Sequence, residues 1–128
     1  MDINTIREHY DKGEYTVRIS PSSIRTLPDD YVFDENKSVK QNRALVIEHN
    51  EHIKELKQHW RDEQNKLHKQ LREDVVDYIT DNYNISKKQA YIIESFVYME
   101  KHAFMSDYFN AIDTFAELVE KILNITDR

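Results

Sequence analysis

From Ser38 to Asp81 the chain carries neither glycine nor proline; its one glycine, Gly13, and both prolines, Pro21 and Pro28, all come earlier. Glycine supplies left-handed turns and proline supplies helix stops, so a run without either is free to continue as one helix. The apolar residues in this run recur at helical spacing. Val39, Val46, Ile53, Trp60 and Leu67 stand seven apart, and Leu71, Val75 and Tyr78 carry the stripe onward. At about 100° per residue these positions form one seam along a single helix. A helix over 39–80 would be about 63 Å long at roughly 1.5 Å per residue, which predicts an elongated molecule.

A single glycine is too few for parallel α/β folds, β-sandwiches, a dinucleotide fingerprint or a phosphate-cradling P-loop. With no cysteine there are no disulfides, zinc fingers, iron–sulfur ligands or thiol nucleophiles, and the composition fits a reducing cytosol. No apolar stretch approaches the roughly 18 residues of a membrane span, and no signal-peptide pattern opens the chain. The sequence therefore predicts a cytoplasmic protein with no membrane contact.

The chain divides into an amino-terminal arm, 1–37, and a helical region, 38–128. In the arm, Thr5 and Glu8 have capping-box spacing, and Gly13 suits the left-handed position after a short helix. Tyr15-Thr16-Val17-Arg18-Ile19 alternates as a strand does, and Tyr31-Val32-Phe33 reads as a second short strand. In the helical region, Asp81 to Ile85 is the break. Ser86 and Gln89 then form a second capping box, followed by Ala90, Ile93, Val97, Phe104, Tyr108, Ala111, Phe115, Leu118 and Ile122. This is one long helix, or two with a kink near Ser106. The fold class expected is all-α: a long antiparallel helical hairpin, coiled-coil-like, with a short arm that has room for one or two strands.

Charge is spread evenly. The formal net charge is −6, and no segment is basic enough to leave an electrostatic footprint for DNA or RNA. Asp29, Asp30, Asp34 and Glu35 make the densest acidic cluster, which reads as solvated surface or as a mimic of phosphates toward a basic partner. Glu48, His52, Glu55 and His59 follow the ladder a helical metal site uses, but they lie opposite the Val46–Ile53–Trp60 seam and face water. His49 and His52 are three apart rather than the four of a helix-borne zinc protease. No catalytic residue, cofactor or metal is assigned. Glu100, Lys101 and Asp107 fall close to the second apolar seam and are expected to form a polar layer that fixes register.

Residues 90–99 are the most informative segment. Ala90, Ile93 and Val97 face the seam, while Ile92, Phe96 and Met99 fall on the far side. Each large apolar side chain left in water forgoes roughly 1.5–3 kcal/mol, and contiguous exposed patches usually mark contacts. Either the arm or a second protein covers it, which leaves two explanations open: the arm folds back with Tyr15, Val17 and Ile19 as its buried face, or the chain self-associates. Trp60, Ile92, Phe96, Tyr98 and Met99, with the acidic Asp29, Asp30, Asp34 and Glu35, are the candidate interaction residues, since aromatic anchors dominate interface energetics.

Several stretches carry a resemblance across most of the chain. They are Ile6-Arg7-Glu8 with Tyr10 and Gly13-Glu14-Tyr15, then Tyr31 to Asn36, Leu67-His68 through Glu73-Asp74, and Glu100-Lys101-His102 with Tyr108. Together they resemble small helical proteins of phages and prophages of Gram-positive bacteria. The opening residues Met1, Ile3-Asn4, Ile6-Arg7-Glu8, Lys12 and Tyr15-Thr16-Val17 are similar to those of phage-encoded anti-CRISPR inhibitors of the Cas9 nuclease. The family resemblance implies phage origin and no established activity, and the similarity of the opening raises the inhibitor reading without carrying any binding residue across. The function expected is a non-catalytic phage accessory protein, not an enzyme, that binds and blocks a host protein such as Cas9 in the host bacterial cytoplasm. The competing expectation is a scaffolding coiled-coil homo-oligomer with no host target, and self-association is expected in either case. A metal-dependent hydrolase is the third alternative.

Overall fold

The computed structural model describes residues 1–17 and 24–126. Among these the fold is all-helical: α1 (Ile3–Asp11), α2 (Val39–Asn82), α3 (Lys87–Lys101) and α4 (Met105–Thr126), with no strand. The chain forms two compact units. One comprises Met1–Tyr15 with Leu67–Arg128 and the other Thr16–Lys66, so α2 supplies residues to both.

In the first unit the carboxyl-terminal part of α2, then α3, then α4 run alternately up and down. His68 meets Tyr98 and Arg72 meets Glu94, which makes α2 and α3 antiparallel. Tyr98 packs on Tyr108 and Phe96 on Phe115, which makes α3 and α4 antiparallel. Their interior is apolar: Leu71, Val75 and Ile79 from α2, Ala90, Ile93 and Val97 from α3, and Tyr108, Phe109, Ile112 and Ala116 from α4. Helix α1 closes one side with Ile3 and Ile6. Arg7 donates to the Asn110 side chain at 2.7 Å, and Tyr10 meets Phe109 edge-on.

Helix ends follow the local chemistry. Asp2, not Thr5, caps α1: its carboxylate accepts from the Thr5 amide at 2.7 Å, a role a charged oxygen at a helix start fills well. Gly13 sits at φ 80° just past α1, a conformation glycine adopts without strain. Ser86 forms the expected capping box with Gln89. Ser86→Ala is expected to cost about 1 kcal/mol, read as a lowered midpoint in urea unfolding.

The second half of the helical region is two helices, not one rod. Lys101 to Met105 turns without glycine or positive φ, held by the Phe104 amide on the Lys101 carbonyl and the Asp107 and Tyr108 amides on the Phe104 carbonyl. This turn resets the helical phase. On α4 the buried positions are therefore Tyr108, Phe109, Ile112 and Ala116, while Leu118, Ile122 and Phe104, expected in the seam, are exposed. Glu100, Lys101 and Asp107 are exposed as well and form no polar layer.

In the second unit the stretch before α2 is an extended loop, not a strand. The Tyr31-Val32-Phe33 segment joins no ladder because a side chain takes the place of a partner strand. Asn42, itself buried, accepts from the Phe33 and Asp34 amides at 3.0 and 3.1 Å and donates to the Asp34 carbonyl at 3.1 Å. Asn50 makes a bridge-like pair with Leu27, accepting from its amide at 2.8 Å and donating to its carbonyl at 3.0 Å. The Val17 amide donates to the Gln64 side chain at 3.1 Å. Amide side chains on α2 thus supply the hydrogen bonds a neighbouring strand would. Val46 and Ile53 are buried, as their heptad spacing requires, whereas Val39 at the helix start is exposed. Of the other predicted strand, Tyr15 to Val17 joins no ladder, and Arg18 and Ile19 lie outside the described residues.

Candidate functional site: an apolar face on the α3–α4 pair

The rotation of α3 is set by an ion pair inside the first unit. Glu94 is 1% exposed and takes the Arg72 Nε–H on both carboxylate oxygens, the longer contact at 3.1 Å. Burial pushes the Glu94 carboxyl above its ordinary range and Arg72 pulls it back. The guanidinium also lies over the Tyr98 ring, 4.2 Å from its centroid. The Tyr98 hydroxyl and His68 Nε2 share a hydrogen bond at 2.7 Å, and His102 stacks on the same tyrosine ring with centroids 4.9 Å apart. The Tyr108 hydroxyl is wholly buried and without a hydrogen-bond partner among the described residues, and burial drives its ionisation far above the usual phenol range.

Tyr98 is therefore not an exposed anchor. It lies on the α2-facing side of α3 and is spent on His68 and Arg72. The His68 imidazole titrates below its ordinary 6.5, first because it is partly buried and then because Arg72 and His102 carry like charge nearby. The folded chain thus keeps His68 neutral where the unfolded chain would protonate it. Stability held above pH 6.5 is lost as the pH falls below it. Urea unfolding of wild type and His68→Asn at about pH 7.5 and 5.5 should show a smaller acid loss in the variant.

With Glu94 turned inward, the opposite side of α3 is turned out. Ile92 is 62%, Phe96 49% and Met99 73% exposed. Phe96 meets Phe115 of α4 edge-on at 5.3 Å, which places the two helices' outer stripes on one surface. On α4 that stripe continues through Leu118 (53%) and Ile122 (50%). The result is a single two-helix apolar face over a packed core. Helix α1 does not cover it, since its contacts are with Asn110 and Phe109, and Tyr15 is buried with its hydroxyl donating to Asp74 at 2.6 Å.

The other candidate residues belong to the second unit. Trp60 is half-buried, with its indole N–H enclosed. Asp29, Asp30 and Glu35 are exposed, beside the exposed Tyr31, Val32 and Val39, and they line a cleft of about 430 Å³ with Lys37 and Arg43. Asp34 turns back to accept from the Asn36 amide at 2.9 Å. Glu48, His52, Glu55 and His59 are all exposed.

Among the described residues no three His, Asp or Glu side chains converge as metal ligands do, and no helix is long and apolar enough to cross a membrane. What the site offers chemically is desolvation of apolar surface. Helical phase against Ala90 locates Ile92, Phe96 and Met99 from the sequence. Leu118 and Ile122 escape it, because the same phase extended past Lys101 assigns them to the buried seam; Phe115, assigned there too, is half-buried and packs against the core. The chain matches no protein-family model, no curated protein and no solved structure.

Proposed function

We propose that the chain is a non-catalytic binding protein that acts by covering a surface of another protein. In the phage setting that its sequence resembles, the partner is a host protein, and the Cas9 nuclease is the first target to test. The observation that carries this reading is the α3–α4 face, where Ile92, Phe96, Met99, Leu118 and Ile122 are each about half exposed or more around the Phe96–Phe115 contact. A chain gains by burying such surface, and proteins that act alone rarely keep it contiguous. The acid-rich loop at Asp29, Asp30 and Glu35 is a second surface, suited to a basic channel.

The test compares wild type with the double variant Ile92→Lys, Phe96→Glu, both substitutions at exposed helical positions. Wild type should retain a stoichiometric protein partner, and the variant, still helical by circular dichroism, should release it. Equal retention by both, or a wild-type chain that retains nothing, contradicts the reading. Adding the chain to a Cas9 cleavage reaction tests the narrower target: dose-dependent loss of cleavage supports it, and unchanged cleavage removes Cas9 while leaving the binding protein. A scaffolding homo-oligomer is the second reading, favoured by the same exposed apolar face, which a second copy would equally cover.

A further inference from the structure

We propose that the α3–α4 face is the interface of a two-fold homodimer, in which each copy lays its Phe96–Phe115 pair against the other's; this rests on reading that face as a contact surface. An isologous interface must be complementary to itself, because the same patch serves both copies. The face has that pattern. Since α3 and α4 are antiparallel, Lys88 near the start of α3 and Lys121 near the end of α4 stand at one end. Glu100 near the end of α3 and Asp107 near the start of α4 stand at the other, about 20 Å away at roughly 1.5 Å per residue; Lys101 lines the same cleft as Asp107, so this end keeps two acids to one cation.

Lys88, Lys121, Glu100 and Asp107 are exposed, and none takes part in an ion pair among the described residues. Between the two ends the stripes Ile92–Phe96–Met99 and Phe115–Leu118–Ile122 are uncharged. A two-fold axis lying in the interface, across the helices near Phe96 and Phe115, carries each lysine end onto the acidic end of the partner copy. It also places aromatic rings at the middle, where interface energy concentrates. Homodimer interfaces are the more apolar kind and exclude charge from their centres. A different partner would need the reverse pattern built into its own sequence, whereas a second copy brings it by symmetry.

The test uses charge exchange on the full chain. One variant carries Lys88→Glu with Lys121→Glu, the other Glu100→Lys with Asp107→Lys. By sedimentation, wild type should reach twice its 15.4 kDa chain mass as concentration rises. Each charge variant, its ends now alike, should dissociate at least tenfold more readily, and an equimolar mixture of the two should recover a dimer containing one of each. Phe96→Glu should abolish association in both backgrounds. A wild type that stays monomeric, or charge variants that dimerise as tightly as wild type, would overturn the dimer. If the monomeric chain nonetheless binds a host protein and loses it on Phe96→Glu, the contact-surface reading survives without the dimer; if it binds nothing, both fail.

Discussion

Arg72→Leu is expected to destabilise the fold by about 3–5 kcal/mol, because it strands the Glu94 carboxylate in an apolar interior. The loss is larger than a deleted surface ion pair would give, since Glu94 has almost no access to water and Arg72 is the cation held against it. Two controls separate this cause from lost packing. The double variant Arg72→Leu, Glu94→Leu removes both charges and should recover most of the deficit, as apolar replacement of a buried pair usually does. The deficit should also depend on pH in a fixed direction. Without Arg72, the folded chain holds a proton on Glu94 more tightly than the unfolded chain does, so the loss is full near neutrality and shrinks as the pH falls toward the carboxylate range. Urea unfolding of the single and double variants across that range measures both effects. A single variant as stable as wild type would mean that Glu94 finds another partner.

Phe109→Ala should cost a comparable amount, about 3–5 kcal/mol, through a different mechanism. Phe109 is 1% exposed and ties α1 to α4: Tyr10 of α1 meets its ring at 5.7 Å, Tyr108 at 5.2 Å, and the Arg7 guanidinium lies 5.5 Å from its centroid. Truncation leaves a cavity where α1 docks on α4, so the loss should be accompanied by faster proteolysis near α1. Phe109→Leu, which keeps most of the volume, should cost about 1.5 kcal/mol or less.

Some of this fold is legible in the sequence and some is not, for identifiable reasons. The long second helix is readable because Val46, Ile53, Leu71, Val75 and Tyr78 repeat at helical spacing through a stretch with no breaker, and all five are buried. The start of α3 is equally local, since the Ser86–Gln89 capping box is a four-residue signal. The turn at His102 to Phe104 leaves no such signal, because it uses ordinary backbone conformations and no glycine or proline. Without one, the apolar phase of α3 runs on into α4 and misplaces the buried side of that helix. Glu94 is invisible for a related reason. Its partner Arg72 is 22 residues away on another helix, and a lone glutamate in an apolar segment carries no sign of a cation held against it. The Tyr31–Phe33 strand fails because the bonding partners of the arm, Asn42 and Asn50, are side chains on α2, which periodicity in the arm cannot reveal.

The reset phase of α4 also enlarges the exposed apolar surface. Assigned to the seam, Leu118 and Ile122 would leave α3 with a narrow exposed stripe. Placed on the outer side, they widen it and join it to the face of α4, beside the half-buried Phe115. Tyr98 and Trp60 are not part of this face: the first turns to His68 and Arg72, and the second belongs to the other unit. What remains is a surface built almost wholly of aliphatic, methionine and phenylalanine side chains.

Hydroxyl-radical footprinting of Met99, Phe96 and Phe115 measures the state of that surface directly. In a dilute chain free of partners, Met99 and Phe96 should be oxidised rapidly, and all three residues should become protected together as concentration rises or a partner is added, while the buried Phe109 stays protected throughout. Equal oxidation of Met99 and Phe96 under every condition, with no protected state at any concentration or with any added protein, would contradict the account.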